Sequence, residues 1–171
     1  MKIYDVTVPI SEKVPIYGDD PRVSIESVRQ IAQGDNANVS NLCLGAHTGT
    51  HVDAPNHFIE GTRRVEDLDL NKLLGRCRII EVDDSVTAIE PAHLTNLSGA
   101  ERVLFKTRNS SFWNTPETGF RTDFTFISPE AAVVLRDSGV VLVGIDYLSV
   151  EKFGSTDFAT QDKYYRESTR R

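Results

Sequence analysis

The apolar positions of this chain fall into short, strand-length runs separated by turn residues. Lys2 to Ile10 alternates in part and is rich in β-branched residues, which predicts a strand. Residues 14–21 (VPIYGDDP) bring prolines, a glycine and acids together in one short window, the chemistry of a turn. Partial alternation predicts strands over Val23 to Ile31 and Val39 to Leu44, and again over Arg76 to Val82 and Arg102 to Lys106. The clearest helix follows Ser128: Ser128 suits the N-cap, Pro129 the first helical position and Glu130 the positive end of the dipole. Gly139 stops that helix. Val140 to Ile145 (VVLVGI) is then nearly all apolar, as in a strand buried on both faces. Strands with a few helices predict an α/β or α+β fold around a central sheet or barrel.

Composition adds bounds. A chain of 171 residues with 39% hydrophobic and 26% charged positions is an ordinary globular mix, with one domain as the default. The formal net charge of −6 disfavours phosphate-backbone binding, so no nucleic-acid partner is expected. No apolar run approaches the roughly 18 residues of a membrane span, and no secretory signal is visible at the N-terminus. The two cysteines, Cys43 and Cys77, sit in apolar stretches and read as buried thiols of a reducing compartment, which makes the cytoplasm the expected location.

The most informative stretch is residues 45–58, GAHTGTHVDAPNHF, which holds three of the four histidines and an aspartate. A helix would put His47 and His51 on one face, but Gly49, two threonines and Pro55 oppose a helix. A straight strand would separate the two histidines by about 13 Å, too far for one ion. If both bind one metal, the chain must bend, and Gly49 is the natural place. A bent segment then supplies two imidazoles and the Asp53 carboxylate, the size of ligand set that leaves a catalytic metal an open position for water. His57, beyond the Pro55 turn, is placed to act as acid or base. His93, in EPAHL, reads as part of a short helix with a structural role.

The run HTGTHVDAPNHF from His47 to Phe58 resembles the signature of the metal-dependent cyclase family, which includes bacterial-type kynurenine formamidases (arylformamidases) and isatin hydrolases. The stretches FKTRNS from Phe105, VGIDYLSV from Val143 and GSTDF from Gly154 agree with it. The resemblance runs from about Tyr4 to Phe158. It implies a single α/β domain with a β-barrel-like or swivelling β/β/α core and flanking helices, assembled as a homodimer or higher homo-oligomer. It implies that His47, His51 and Asp53 bind metal (zinc, with manganese the other candidate, as one or two ions) and that the aspartate can bridge two of them. It implies His57 as proton donor and acceptor, and Tyr17 as the pocket aromatic where tryptophan is frequent. The implied reaction is hydrolysis of a small-molecule amide, with N-formylkynurenine giving kynurenine and formate in tryptophan catabolism, the alternative within the family being ring opening of a cyclic amide of the isatin-hydrolase type. The metal would acidify a water for attack on the carbonyl.

The family pattern then expects a histidine and, further on, a glutamate that complete the metal site. Gln161 stands at the histidine position, and a charged run follows. An amide oxygen is a weak zinc ligand beside imidazole, which argues against a second ion. The C-terminal end thus reads as truncated or divergent, with residues 1–160 forming the domain and 161–171 a solvated, charged tail. Two other readings use the same residues. One is a non-catalytic, metal-binding or oligomerising member. The other is a non-haem iron oxygenase, in which His51, Asp53 and His93 imitate a facial triad.

Overall fold

The computed structural model describes residues 2–116 and 119–165. The described chain is mixed α/β, and its contacts divide it into two compact units. Unit 1 comprises residues 1–52 and 115–120, and unit 2 comprises residues 53–114 and 121–171.

Unit 1 is built on an antiparallel hairpin of β1 (Ser24–Arg29) and β2 (Val39–Cys43), in which Ile25 lies opposite Leu42 and a register shift falls between Ser27 and Arg29. Both strands lie within the segments predicted for them. Lys2 to Ile10 does not form the predicted strand; it runs without ladder pairing. β-Branched residues alone do not make a strand when no partner edge is offered. The segment is tied instead by single contacts, one of them the Val8 N–H donating to the Thr50 hydroxyl at 2.9 Å.

Unit 2 carries the larger core. β3 (Arg78–Glu81), β5 (Arg102–Lys106) and β7 (Leu142–Ile145) form a parallel sheet in the order β3-β5-β7. β4 (Ala88–Ile89) and β6 (Phe126–Ile127) form a second, shorter parallel pair. A short helix, α1, spans Leu70–Leu73. Ile80, Ile89, Val103, Phe105, Ile127 and Leu135 pack together as the buried centre. β5, not β7, is the middle strand. Of the apolar run over Val140 to Ile145, Val140 is buried, Val141 is exposed and the strand itself is only half-buried, because β7 lies at an edge of its sheet.

α2 (Pro129–Asp137) starts and stops as its sequence predicts. The Ser128 hydroxyl accepts from the Ala131 N–H at 3.1 Å, Pro129 occupies the first turn, and Gly139 leaves the helix at φ +81°. α3 (Ala159–Tyr165) packs on it. This corrects the reading of residues 161–165 as part of a solvated tail: Gln161 is buried, and Tyr164 packs against the central apolar cluster. Its phenol groups let an apparently polar run bury one face. Residues 166–171, the rest of that predicted tail, lie outside the described residues. The cysteines are a second correction. Both Cys43 and Cys77 are exposed, Cys43 because the hairpin that carries it is exposed along its length.

Candidate metal centre

The chain leaves β2 at Cys43 and enters turns and bends over residues 46–50. The Thr48 N–H donates to the Gly45 carbonyl at 3.1 Å, closing the first turn. Gly49 follows with φ +62°, a left-handed conformation in which a side chain is strained. A Cβ placed there would also lie 3.0 Å from Ile10 Cδ1. This is the bend the spacing of His47 and His51 requires. It brings their rings to a centroid distance of 5.1 Å, nearly perpendicular at 82°.

His47, His51 and Asp53 each offer a ligating atom, and those atoms all lie within 4.8 Å of one another. All three residues are half-buried. The His51 Nδ1 lies 2.9 Å from the Gly49 carbonyl oxygen. A carbonyl oxygen can only accept, so Nδ1 is the donor and carries the proton. In the neutral ring this leaves the lone pair on Nε2. Two imidazoles and one carboxylate are the donor chemistry of a zinc or other first-row divalent site with open positions, so the residues present fit a metal ion.

Asp53 is also held through its backbone. Its carbonyl accepts from the Tyr165 hydroxyl at 3.0 Å, across 112 positions of sequence. Ala54 and Pro55, both buried, follow, and Pro55 opens a 3-10 turn over Pro55–His57. Tyr165 was not legible as a site-supporting residue, because it falls in the segment read as tail. The pairing of aromatic residues with a rising helical pattern from Ala159 is the signal that would have raised it.

The other predicted site residues are placed as follows. His57 ends the 3-10 turn, is exposed, and sets its ring against Phe58 at 4.1 Å between centroids. It is not one of the three clustered donors. Phe58 in turn meets Phe158, a non-glycine residue at φ +47°. Tyr17 lies in unit 1, half-buried, its ring 4.8 Å from that of Phe120. His93 accepts the Glu90 N–H on Nδ1 at 2.9 Å and so caps its own 3-10 turn over Pro91–His93. It is not among the clustered donors, which removes the geometry that the iron-triad reading needs. Gln161 is buried on α3.

Two further stretches of the resemblance are held together in unit 2. The Asp146 carboxylate accepts from the Thr107 N–H at 2.7 Å, the Thr107 hydroxyl at 2.8 Å, the Ser110 N–H at 3.0 Å and the Ser110 hydroxyl at 2.5 Å. Trp113 Nε1 donates to the Asp146 carbonyl at 2.9 Å. These bonds fix the loop after β5 against the loop after β7, so FKTRNS and VGIDYLSV form one structural unit rather than two motifs.

Comparison with known proteins shows what the chain as a whole is similar to. The sequence model of the family described as "Putative cyclase" matches residues 4–152. The kynurenine formamidase of Polaromonas naphthalenivorans (strain CJ2) is 30% identical over 174 residues, which take in 99% of this chain and 74% of the relative. That of Salinibacter ruber (strain DSM 13855 / M31) is 33% identical over 160 residues, 92% of this chain and 74% of the relative. Among solved structures, a potential metal-dependent hydrolase with cyclase activity superposes with a TM-score of 0.75 at 34% identity, covering 96% of this chain and 76% of its own. A predicted metal-dependent hydrolase from Bacillus stearothermophilus gives 0.74 at 33% identity, covering 95% and 77%. An isatin hydrolase bound to the product analogue thioisatinate shares the fold, with a TM-score of 0.75 at 18% identity over 94% of this chain and 73% of its own. The histidine-rich bend, the match over most of the length and the shared fold have one reading: the chain belongs to the cyclase family.

Proposed function

We propose that this protein is a metal-dependent amidohydrolase that cleaves the C–N bond of an N-formyl arylamine, with N-formylkynurenine as substrate and kynurenine and formate as products. The observation that carries the reading is the convergence of His47, His51 and Asp53 donor atoms within 4.8 Å on a glycine bend. The kynurenine formamidase relatives support the reaction class.

A bound divalent ion supplies an acidified water and polarisation of a carbonyl. The chain supplies the rest. His47, His51 and Asp53 would hold the ion, and the Gly49 carbonyl, by accepting from His51 Nδ1, would fix the orientation of that ring. His57, exposed and one turn further along the same segment, takes a proton as the amide carbon is attacked and returns it to the leaving amine. The Tyr17 ring offers a stacking face to an aryl substrate. Zinc is the ion proposed, with manganese as the alternative, and one ion per chain. A homo-oligomeric state and a cytoplasmic location belong to the same proposal. Among the described residues, no helix is long and apolar enough to cross a membrane.

The test is turnover. Purified protein loaded with zinc is given N-formylkynurenine, and kynurenine is followed by its absorbance. Release of kynurenine that depends on added metal supports the proposal; absence of turnover with either zinc or manganese contradicts it. Gln161 favours one second reading, a metal-binding member that does not catalyse. It stands where the resemblance expects a ligand histidine, and its Oε1 is buried without a hydrogen-bond partner among the described residues. Metal binding without turnover would select that reading.

A further inference from the structure

α3 is fixed at both ends. The buried Glu151 carboxylate accepts from the Thr160 N–H at 3.0 Å and, more weakly, from the Gln161 N–H at 3.4 Å, at the start of the helix. The Thr160 hydroxyl donates to the Ile127 carbonyl at 2.7 Å, which ties the same turn to β6. At the other end Arg136 Nη1 donates to the Lys163 carbonyl at 2.7 Å, and the Tyr164 hydroxyl donates to the Val140 carbonyl at 2.9 Å. The helix is therefore a rigid arm of the β6–α2 framework, and Tyr165 stands on its last turn.

From that arm the Tyr165 hydroxyl reaches the Asp53 carbonyl at 3.0 Å. A hydrogen bond to this carbonyl fixes the peptide plane that follows Asp53. On the far side Ala54 is extended (φ −87°, ψ 156°) and buried, and Pro55 fixes the next φ. With that plane held by Tyr165 and the following residues packed, the backbone that carries the Asp53 carboxylate is restrained on its C-terminal side. Groups that orient a ligating side chain in this way change metal affinity although they never touch the metal.

We infer that Tyr165 is a positioning residue for the metal centre, and that α3 and metal binding are thermodynamically coupled through its bond to the Asp53 carbonyl. The inference rests on the reading of His47, His51 and Asp53 as ligands. Coupling is reciprocal: if a docked α3 tightens metal binding, bound metal holds α3 docked.

Tyr164 provides a matched control. It is the neighbouring residue on the same helix, and its hydroxyl also donates to a main-chain carbonyl, that of Val140, away from the ligands. The experiment titrates Co²⁺ into the metal-free wild type, Tyr165→Phe and Tyr164→Phe, reading affinity by calorimetry and ligand geometry by the visible cobalt spectrum. Thermal melts of the metal-free proteins establish that each variant folds. The expected result is about tenfold weaker Co²⁺ binding and an altered spectrum for Tyr165→Phe; Tyr164→Phe, which removes one docking bond of α3 but leaves the bond to Asp53, should lose clearly less affinity and keep the wild-type spectrum. Equal affinity and an unchanged spectrum for Tyr165→Phe would overturn the inference, as would equal losses in both variants. If the wild type itself binds no Co²⁺, the ligand assignment falls first and the inference with it. Should Tyr165→Phe fail to fold, hydrogen exchange of the wild type decides: Co²⁺ is expected to slow exchange over residues 159–165, and no slowing there would overturn the coupling.

Discussion

The Gly49 carbonyl oxygen lies 2.9 Å from His51 Nδ1. One residue thus does two things for the site. Its φ of +62° turns the chain so that His47 and His51 converge, and its carbonyl fixes which His51 nitrogen keeps a lone pair.

Gly49→Ala is accordingly expected to cost about 1–2 kcal/mol for the left-handed conformation alone. The added methyl group would also press on Ile10 Cδ1 at 3.0 Å. Urea denaturation and metal titration of the variant measure both effects, and stability and affinity equal to wild type would refute this view of the bend.

Asn109 tests the scaffold beneath the loop after β5. It is fully buried; its Nδ2 donates to the Thr125 carbonyl at 2.9 Å, and its Oδ1 accepts from the Thr125 N–H at 2.7 Å. Asn109→Ala leaves both backbone groups of Thr125 buried and unpaired, at a cost of about 3 kcal/mol. Equilibrium unfolding should show that loss, and a loss below about 1 kcal/mol would mean the amide pair is not structural.

Alkaline stability follows from Tyr164. Burial, first, and the neighbouring Tyr165, second, push its phenol well above the usual tyrosine range in the folded chain. The unfolded chain releases that proton near pH 10, so the folded state binds more protons above this value. The stabilisation is therefore complete below about pH 10 and is lost as pH rises through the higher native value. Tyr164→Phe should flatten the fall of unfolding free energy between about pH 10 and pH 11.5. Parallel pH profiles for the variant and wild type would contradict this.

His57→Ala separates acid–base work from metal holding. The ring is exposed and lies outside the three clustered donors, so metal content should be unchanged. Turnover should fall about a hundredfold or more, the usual worth of a positioned acid–base group. Loss of metal in the variant would instead make His57 a ligand, and undiminished turnover would remove it from the reaction.

Much of the site was legible because its signals are local. The poor helix formers between His47 and His51 and the need for a bend at Gly49 follow from residues within one short stretch, and the bend is observed there. The α2 boundaries were legible for the same reason, since Ser128, Pro129 and Gly139 act on their own neighbours. What was not legible depends on distant partners. Lys2 to Ile10 has strand composition but makes no ladder pairing among the described residues. Val140 to Ile145 has the composition of a central strand but takes an edge of its sheet, because β5 fills the middle. Cys43 is apolar in its neighbours and exposed in the fold, since a hairpin open along both strands buries neither face. Tyr165 looked like tail because the group that gives it a purpose, the Asp53 carbonyl, lies 112 positions earlier.

The most direct measurement of the central claim is metal content of the purified, untagged protein by elemental mass spectrometry, with His51→Ala and Asp53→Ala alongside. The ligand assignment predicts roughly one ion per chain in the wild type and essentially none in either variant. A wild type that holds no metal after incubation with excess zinc, or variants that retain it in full, would contradict the assignment of His47, His51 and Asp53 as a metal centre.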